Sequence, residues 1–283
     1  MKIAVIADPH ANFIALQSVS EHISRWQPDH VIVAGDLVNR GPRPSECLGF
    51  VLDRQQTAGW CLLRGNHEDY VIDQAAPLAG RIGPTLEVHR PSYWTYQQLG
   101  YDISALLAMH FQQSIFDTSG SELRFIHASM TSNRDGIYPE SHDHEIKSKL
   151  KLGTSTDSRA PVVVCVGHTH RPFVRESNGL LLVNAGSTGL PFDGDHRPSY
   201  TQISHENGAW KARIVRVEYD RQQAESDFYT TGYLDDGGPL VQLVQIELKT
   251  ASSQLYYWAS RYLELALAGQ ISVAESVHCY LAG

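Results

Sequence analysis

The sequence predicts an α/β fold, and three observations point to it. Short β-rich apolar runs end abruptly in Gly, Asp, Asn or His, helical spacing separates the early runs, and a later series of runs requires a second sheet. Residues 3–7 form the first run. Apolar residues then fall at Ala15, Leu16, Val19, Ile23 and Trp26, the spacing of a helix packed on a sheet. The run at 31–34 precedes Gly35-Asp36, a helix carries Cys47, Leu48, Val51 and Leu52, and the run at 60–63 stops at Arg64-Gly65-Asn66-His67. Residues 70–115 show no strand pattern and read as a helical insertion beside the site. Further strands are expected at 123–126, 161–166, 180–183, 200–203 and 211–219, the last alternating apolar and polar residues. From Asp220 the pattern turns helical. The stretch Asp235-Asp236-Gly237-Gly238-Pro239 is the best linker candidate, dividing a domain of residues 1–235 from a C-terminal helical extension, 236–283. Within that extension Gly269 should end one helix, and Ser272 with Glu275 forms the capping pattern that starts the last.

Composition narrows the function. A chain of 283 residues with 42% hydrophobic and 19% charged residues is globular, and no stretch offers the roughly 18 uninterrupted apolar residues of a membrane span. Twenty-three Lys and Arg against 31 Asp and Glu leave a formal charge of −8, which repels a polyphosphate backbone and argues against duplex nucleic acid as partner. The four cysteines form no C-x-x-C pair, and three lie in apolar surroundings. Together with an N-terminus that enters a strand directly, this leads to the expectation of a reduced, cytoplasmic setting.

The chemistry concentrates at strand ends. Asp8-Pro9-His10 follows the first run, Asp36 the second, Asn66-His67 the third, His127 a later one and His168-Thr169-His170 another. Open α/β sheets bind ligands beyond the carboxyl ends of their strands, so these distant segments can share one crevice. In an extended backbone the i, i+2 spacing of Asp8 with His10 and of His168 with His170 would direct each pair to one side, able to grip an ion. Carboxylate, amide oxygen and imidazole without thiolate suit Mn, Fe, Zn or Mg, and exclude a Cys-type structural zinc site.

These segments, Asp8-x-His10, Gly35-Asp36, Gly65-Asn66-His67-Glu68, His127 and Gly167-His168-x-His170, resemble in order the motif series of the calcineurin-like metallophosphoesterase superfamily. The segment 184–195, Asn-Ala-Gly-Ser-Thr-Gly-Leu-Pro-Phe-Asp-Gly-Asp, is similar to a run of its bacterial and archaeal small-phosphodiesterase branch, so the resemblance covers roughly residues 1–220. The resemblance implies a two-sheet αββα sandwich and two divalent ions, Mn favoured. Asp8, His10, Asp36 and His170 would hold one, and Asp36, Asn66, His127 and His168 the other. It further implies that a metal-bridging hydroxide attacks phosphorus, that His67 stabilises the transition state or protonates the leaving group, and that Arg40, with Asn66, contacts the phosphate.

Two positions depart from the pattern. Asn39 stands where the phosphoprotein-phosphatase branch has an Asp supporting the catalytic histidine, and Phe192 stands where the later motif has Arg. The resemblance of 184–195 makes a small phosphodiester or nucleotide the expected substrate. Phosphomonoester or phosphoprotein hydrolysis, dinucleoside polyphosphate hydrolysis and a non-catalytic interaction scaffold are the alternatives. The remaining histidines read as structural, Tyr93, Trp94 and Tyr96 as core rather than a base-stacking platform, and 184–187 equally as a tight turn or a support for the site. Leu255, Trp258, Leu263 and Leu267 fit either a cover for the core or an oligomer face.

Overall fold

The computed structural model describes residues 1–76, 83–153 and 160–283. Along the chain the elements are β1 (Lys2–Ile6), α1 (Phe13–Trp26), β2 (His30–Ala34), α2 (Pro44–Ala58), β3 (Cys61–Leu63), α3 (Asn66–Asp73), α4 (Gly83–Gln98) and α5 (Ser104–Leu107). There follow β4 (Gln112–Phe116), β5 (Glu122–Ile126), α6 (Asp143–Lys149), β6 (Val163–Val166), β7 (Phe173–Ser177), β8 (Leu180–Asn184), β9 (Ser199–Glu206) and β10 (Ala209–Arg216). Five helices close the chain: α7 (Arg221–Thr230), α8 (Tyr233–Asp236), α9 (Val241–Thr250), α10 (Leu255–Leu267) and α11 (Val273–Ala282).

Two five-stranded sheets, ordered β10-β9-β1-β2-β3 and β4-β5-β6-β8-β7, pack face to face. Strand periodicity assigns the layers. In β1, Ile3 and Val5 point into the inter-sheet core with Leu123, Phe125, Val163 and Val183, while Ala4 and Ile6 point outward against Leu16, Val19 and Val51 of α1 and α2. On the second sheet Val164, Val166 and Leu182 face outward against Ile137, Ile146 and Leu150. The result is the αββα sandwich. Strands β1, β2 and β3 are parallel, as are β5, β6 and β8, so six carboxyl ends come to one edge of the sandwich.

The expectation of no strand in 70–115 needs correction, because β4 begins at Gln112 and pairs antiparallel with β5. Its sequence, Gln-Gln-Ser-Ile-Phe, leaves both ends exposed and the middle half-buried, as an edge strand does, and so carries little of the apolar signal by which strands are recognised. The other edge strand of this sheet, β7, escaped for the same reason.

Residues 236–283 pack on the sandwich. Val241, Val244 and Leu248 of α9 join Trp94, Leu190, Phe228 and Tyr233 in one apolar cluster, so helices on both sides of position 235 share a core. Trp94 and Tyr96 are core residues, as expected. Trp258 anchors α10 through Nε1–H donating to Ser276 Oγ at 3.0 Å, and Ser272 caps α11 by accepting from Glu275 N–H. Among the described residues no helix is long and apolar enough to cross a membrane.

Candidate metal centre

Asp8, His10, Asp36, Asn66, His127, His168 and His170 all lie just beyond the carboxyl ends of β1, β2, β3, β5 and β6. The backbone there is not extended. Asp8, His10, Asp36, Asn39, Arg40, His168 and His170 all have positive φ, between 46° and 68°. Left-handed backbone at non-glycine residues is costly and collects at functional sites, where surrounding structure enforces it. This corrects the spacing argument: the chain turns sharply at each strand end, so i, i+2 residues need not serve the same ion. Asp8 and His10 do share one donor group, with Asp36 and His170, but His168 belongs to a second group with Asp36 and His127. Within each group the ligand atoms lie within 4.8 Å of one another, and Asp36 belongs to both. All these residues are buried except His168, which is half-buried at the rim.

The hydrogen bonds show that these donors fit cations. His10 Nδ1 lies 3.2 Å from Asn39 O, and His170 Nδ1 lies 2.5 Å from Leu190 O. Each Nδ1–H donates to its carbonyl, which leaves both Nε2 lone pairs bare, and these face each other at 3.0 Å. Burial, with a neighbouring positive or imidazole group in each case, lowers both rings well below the usual histidine range and keeps them neutral. Asp36 Oδ2 stands 3.7 Å from His10 Nε2 and Asp8 Oδ1 3.6 Å from His170 Nε2. Two bare nitrogens and two carboxylates thus converge on one point, an arrangement that a divalent cation satisfies. In the second group His127 donates Nδ1–H to Ala34 O at 2.8 Å, and its Nε2 faces Asp36 Oδ2 at 3.4 Å and Asn66 Oδ1 at 3.0 Å. The same Asn66 Oδ1 is 2.9 Å from His168 Nδ1.

The electrostatics tell the same story. Burial alone would raise Asp36, but His127 and His67 beside it outweigh that and hold it well below the usual carboxylate range. Burial drives Asp8 up, with Asp36 adding to it. Burial would lower His127, yet Asp36 and Asp8 pull it up to about 10. The pocket demands positive charge where the two groups meet.

Glu68, quoted in the third motif without a role, is fully buried and ties the loops together. Its carboxylate accepts from Asp36 N at 2.8 Å, Gly65 N at 2.8 Å and Val38 N at 3.1 Å. Burial and the Asp36 charge push it up to about 7 against those three donors. Gly65 is required by close approach, since a Cβ there would overlap Asp36 Oδ1. The 184–187 segment is both a turn and a support. Asn184 Nδ2 donates to Gly167 O at 2.7 Å, Ser187 Oγ donates to Asp8 O at 2.8 Å, and Gly189 N donates to Asp8 O at 3.0 Å. Phe192 stacks on His170 with ring centres 4.3 Å apart, packing that imidazole rather than reaching an anion.

His67 stands edge-on to His10, half-buried, with its ring centre 4.8 Å away. Asn39 fixes its tautomer. The Asn39 Oδ1 accepts from Arg40 N–H at 2.9 Å, so the amide nitrogen faces His67 Nδ1 at 3.0 Å and Ser92 Oγ at 2.9 Å. His67 Nδ1 must accept, which places its proton on Nε2. Burial keeps the ring neutral, pulled down to about 3. Asn39→Asp would put an acceptor opposite Nδ1 and favour the doubly protonated ring. The expected outcome is an upward move of the acidic limb in the pH profile of kcat/KM, and an unchanged profile would show that Asn39 does not set the protonation of His67.

Arg40 is held from the C-terminal helices. Its Nη2 donates to both oxygens of Glu247 on α9, at 2.8 and 3.0 Å, and Glu247 is fully buried. The guanidinium lies 5.7 Å from the Phe192 ring, and its buried Nε–H has no partner among the described residues. Nothing local in the sequence marks Glu247, which is 207 positions from Arg40.

Residues 1–208 match the calcineurin-like phosphoesterase superfamily domain. The chain belongs to the calcineurin-like phosphoesterase superfamily. It is 27% identical over 239 residues to an uncharacterized protein of Methanocaldococcus jannaschii, covering 78% of this chain and 89% of that one. The fold is that of a metallophosphoesterase crystal structure from Sphaerobacter thermophilus (TM-score 0.67, 23% identity, 89% of this chain and 100% of that one). It also matches a hypothetical protein from Pyrococcus horikoshii (TM-score 0.73, 18% identity, 89% and 99%). This superfamily member, with its buried Asp/His cluster in place, is a metal-dependent phosphoesterase.

Proposed function

We propose that this phosphoesterase acts at a dinuclear centre on a small phosphoric diester or nucleotide-type ester, with Mn the preferred ion. The observation that carries the reading is the position of Asp36, which belongs to both donor groups and is flanked by His67. Asp8, His10, Asp36 and His170 would hold one ion, and Asp36, Asn66, His127 and His168 the other. Two such ions acidify bound water and polarise phosphoryl oxygens. The donor set, oxygen and imidazole nitrogen without thiolate, favours a hard or borderline ion.

The chain's own residues supply the remainder. His67 presents Nε2–H to the substrate, positioned to donate to an oxygen that gains charge as the ester bond breaks. Arg40, 13% exposed, would offer the part of its guanidinium that Glu247 does not occupy to a phosphoryl oxygen. Because Glu247 already neutralises Arg40, the site matches the single negative charge of a diester better than the double charge of a monoester. Cys47 and Cys165, buried as thiols in apolar clusters, support the cytoplasmic setting expected from the sequence.

The deciding experiment compares kcat/KM on bis(4-nitrophenyl) phosphate and 4-nitrophenyl phosphate with Mn-reconstituted protein. A diester preference of tenfold or more is the expected result, lost on chelation and restored by Mn. A monoester preference would overturn the diester reading, and no turnover of either would overturn it in favour of a polyphosphate substrate or a non-catalytic scaffold. His67→Ala is expected to lower kcat by about 10² to 10⁴ while leaving metal content intact. A variant that arrives metal-free would instead mark His67 as a ligand.

A further inference from the structure

Beside the metal centre lies a cavity of about 250 Å³ whose apolar walls none of the sequence motifs marks. Its floor is Asn39, Arg40 and His67, and its walls come from α4 and the C-terminal helices: Val88 and Pro91 on one side, Leu240, Val244, Leu255, Leu263 and Leu267 on the other. We propose that this cavity receives the uncharged, apolar organic group of the phosphoric ester, and that α9 and α10 thereby set substrate choice. The proposal rests on the phosphoesterase reading above and adds the class of ester.

Three observations carry it. First, position: His67 and Arg40, which face the phosphate in the proposed reaction, also form the cavity floor, so an ester whose phosphorus sits at the donor cluster directs one substituent here. Second, charge: among the described residues Arg40 is the one formally charged side chain in the lining, and Glu247 already pairs it. Burial lowers the His89 ring and keeps it neutral. A second phosphate or a carboxylate would meet no free counter-charge, and a polyol would find too few partners among leucines and valine. Third, size: about 250 Å³ falls below the roughly 300–1,000 Å³ of sites for drug-sized ligands, so a single ring system fits but a dinucleotide or a folded phosphoprotein segment does not.

The test uses the full chain loaded with Mn and a series of phosphate esters of para-alkylphenols, from methyl to butyl, whose leaving-group acidity is nearly constant. Expected is a rise in kcat/KM of about threefold to fourfold per added methylene until the cavity fills. Calorimetric titration with the matching non-hydrolysable arylphosphonates should show the same gradient in affinity. Leu267→Asp, at a position 42% exposed where the fold tolerates charge, should flatten both gradients without lowering Tm, and Leu263→Asn should flatten them too, at some cost in Tm because Leu263 also packs on the cluster of Leu240 and Trp258. Equal kcat/KM and equal phosphonate affinity along the series in wild type would overturn the cavity assignment while leaving the phosphoesterase intact. Absence of turnover for every ester, with the phosphonate gradient retained, would overturn the phosphoesterase reading and still support the cavity.

Discussion

Asp36→Asn will reduce turnover by at least about 10³-fold, the loss of roughly 4 kcal/mol of transition-state stabilisation, without unfolding the chain. Asp36 is the residue common to both donor groups, with Oδ2 3.7 Å from His10 Nε2 and 3.4 Å from His127 Nε2. An amide in its place keeps the volume, and its oxygen can still accept from His67 N–H as Oδ1 does at 2.9 Å. What disappears is the charge that attracts cations to both groups. In metal-free protein that charge is held well below the usual carboxylate range by His127 and His67, and it in turn raises His127. Neutralising it leaves His127 with a weaker counter-charge, so thermal stability without metal should fall modestly while the chain still folds. Metal content by elemental analysis should fall below that of wild type in parallel with kcat. Full activity in this variant would mean that the shared position of Asp36 has no part in catalysis.

Much of this centre was legible because its chemistry is tied to strand ends. Parallel strands put their carboxyl termini on one edge, so Asp, Asn and His residues immediately after apolar runs could be assigned to a common crevice before any coordinate was known. The way those residues reach it was not legible. Left-handed backbone at Asp8, Asp36 and His168 is imposed by contacts from other loops, such as Glu68 accepting from Asp36 N and Asp8 accepting from His168 N at 2.9 Å. No local propensity encodes it. Edge strands β4 and β7 were missed because a strand with one free edge need not be apolar. Gly237 and Gly238 read as a linker, and they do form a turn, between α8 and α9, but chain punctuation carries no information on whether the helices beyond it dock. Here they do, through Val241, Val244 and Leu248, which appear in the sequence only as a helical stripe.

That docking leads to the second large effect. Glu247→Ala should cost about 3–5 kcal/mol of stability, the usual consequence of removing one partner from a buried ion pair, and lower Tm by roughly 5–10 °C. Glu247 is buried at the centre of α9, and besides holding Arg40 its Oε1 accepts from Gln254 N at 2.8 Å and Leu255 N at 2.9 Å, where α10 begins. Truncation strands a guanidinium that is only 13% exposed and leaves two backbone donors at the start of α10 without acceptors. Glu247→Gln retains an oxygen for those donors and loses only the charge, so its penalty should be smaller. Activity should fall in both variants through KM, because Arg40 is no longer held in its left-handed loop toward the donor groups. The double variant Arg40→Met, Glu247→Leu separates the two consequences. With the pair replaced by apolar side chains, stability should recover in part, the Gln254 and Leu255 N–H groups still lacking the Glu247 acceptor, while kcat/KM stays low if Arg40 meets the phosphate as proposed. If the double variant regains activity as well, the pair is structural and Arg40 does not contact substrate. If Glu247→Ala melts like wild type, the ion pair does not join α9 to the catalytic layer.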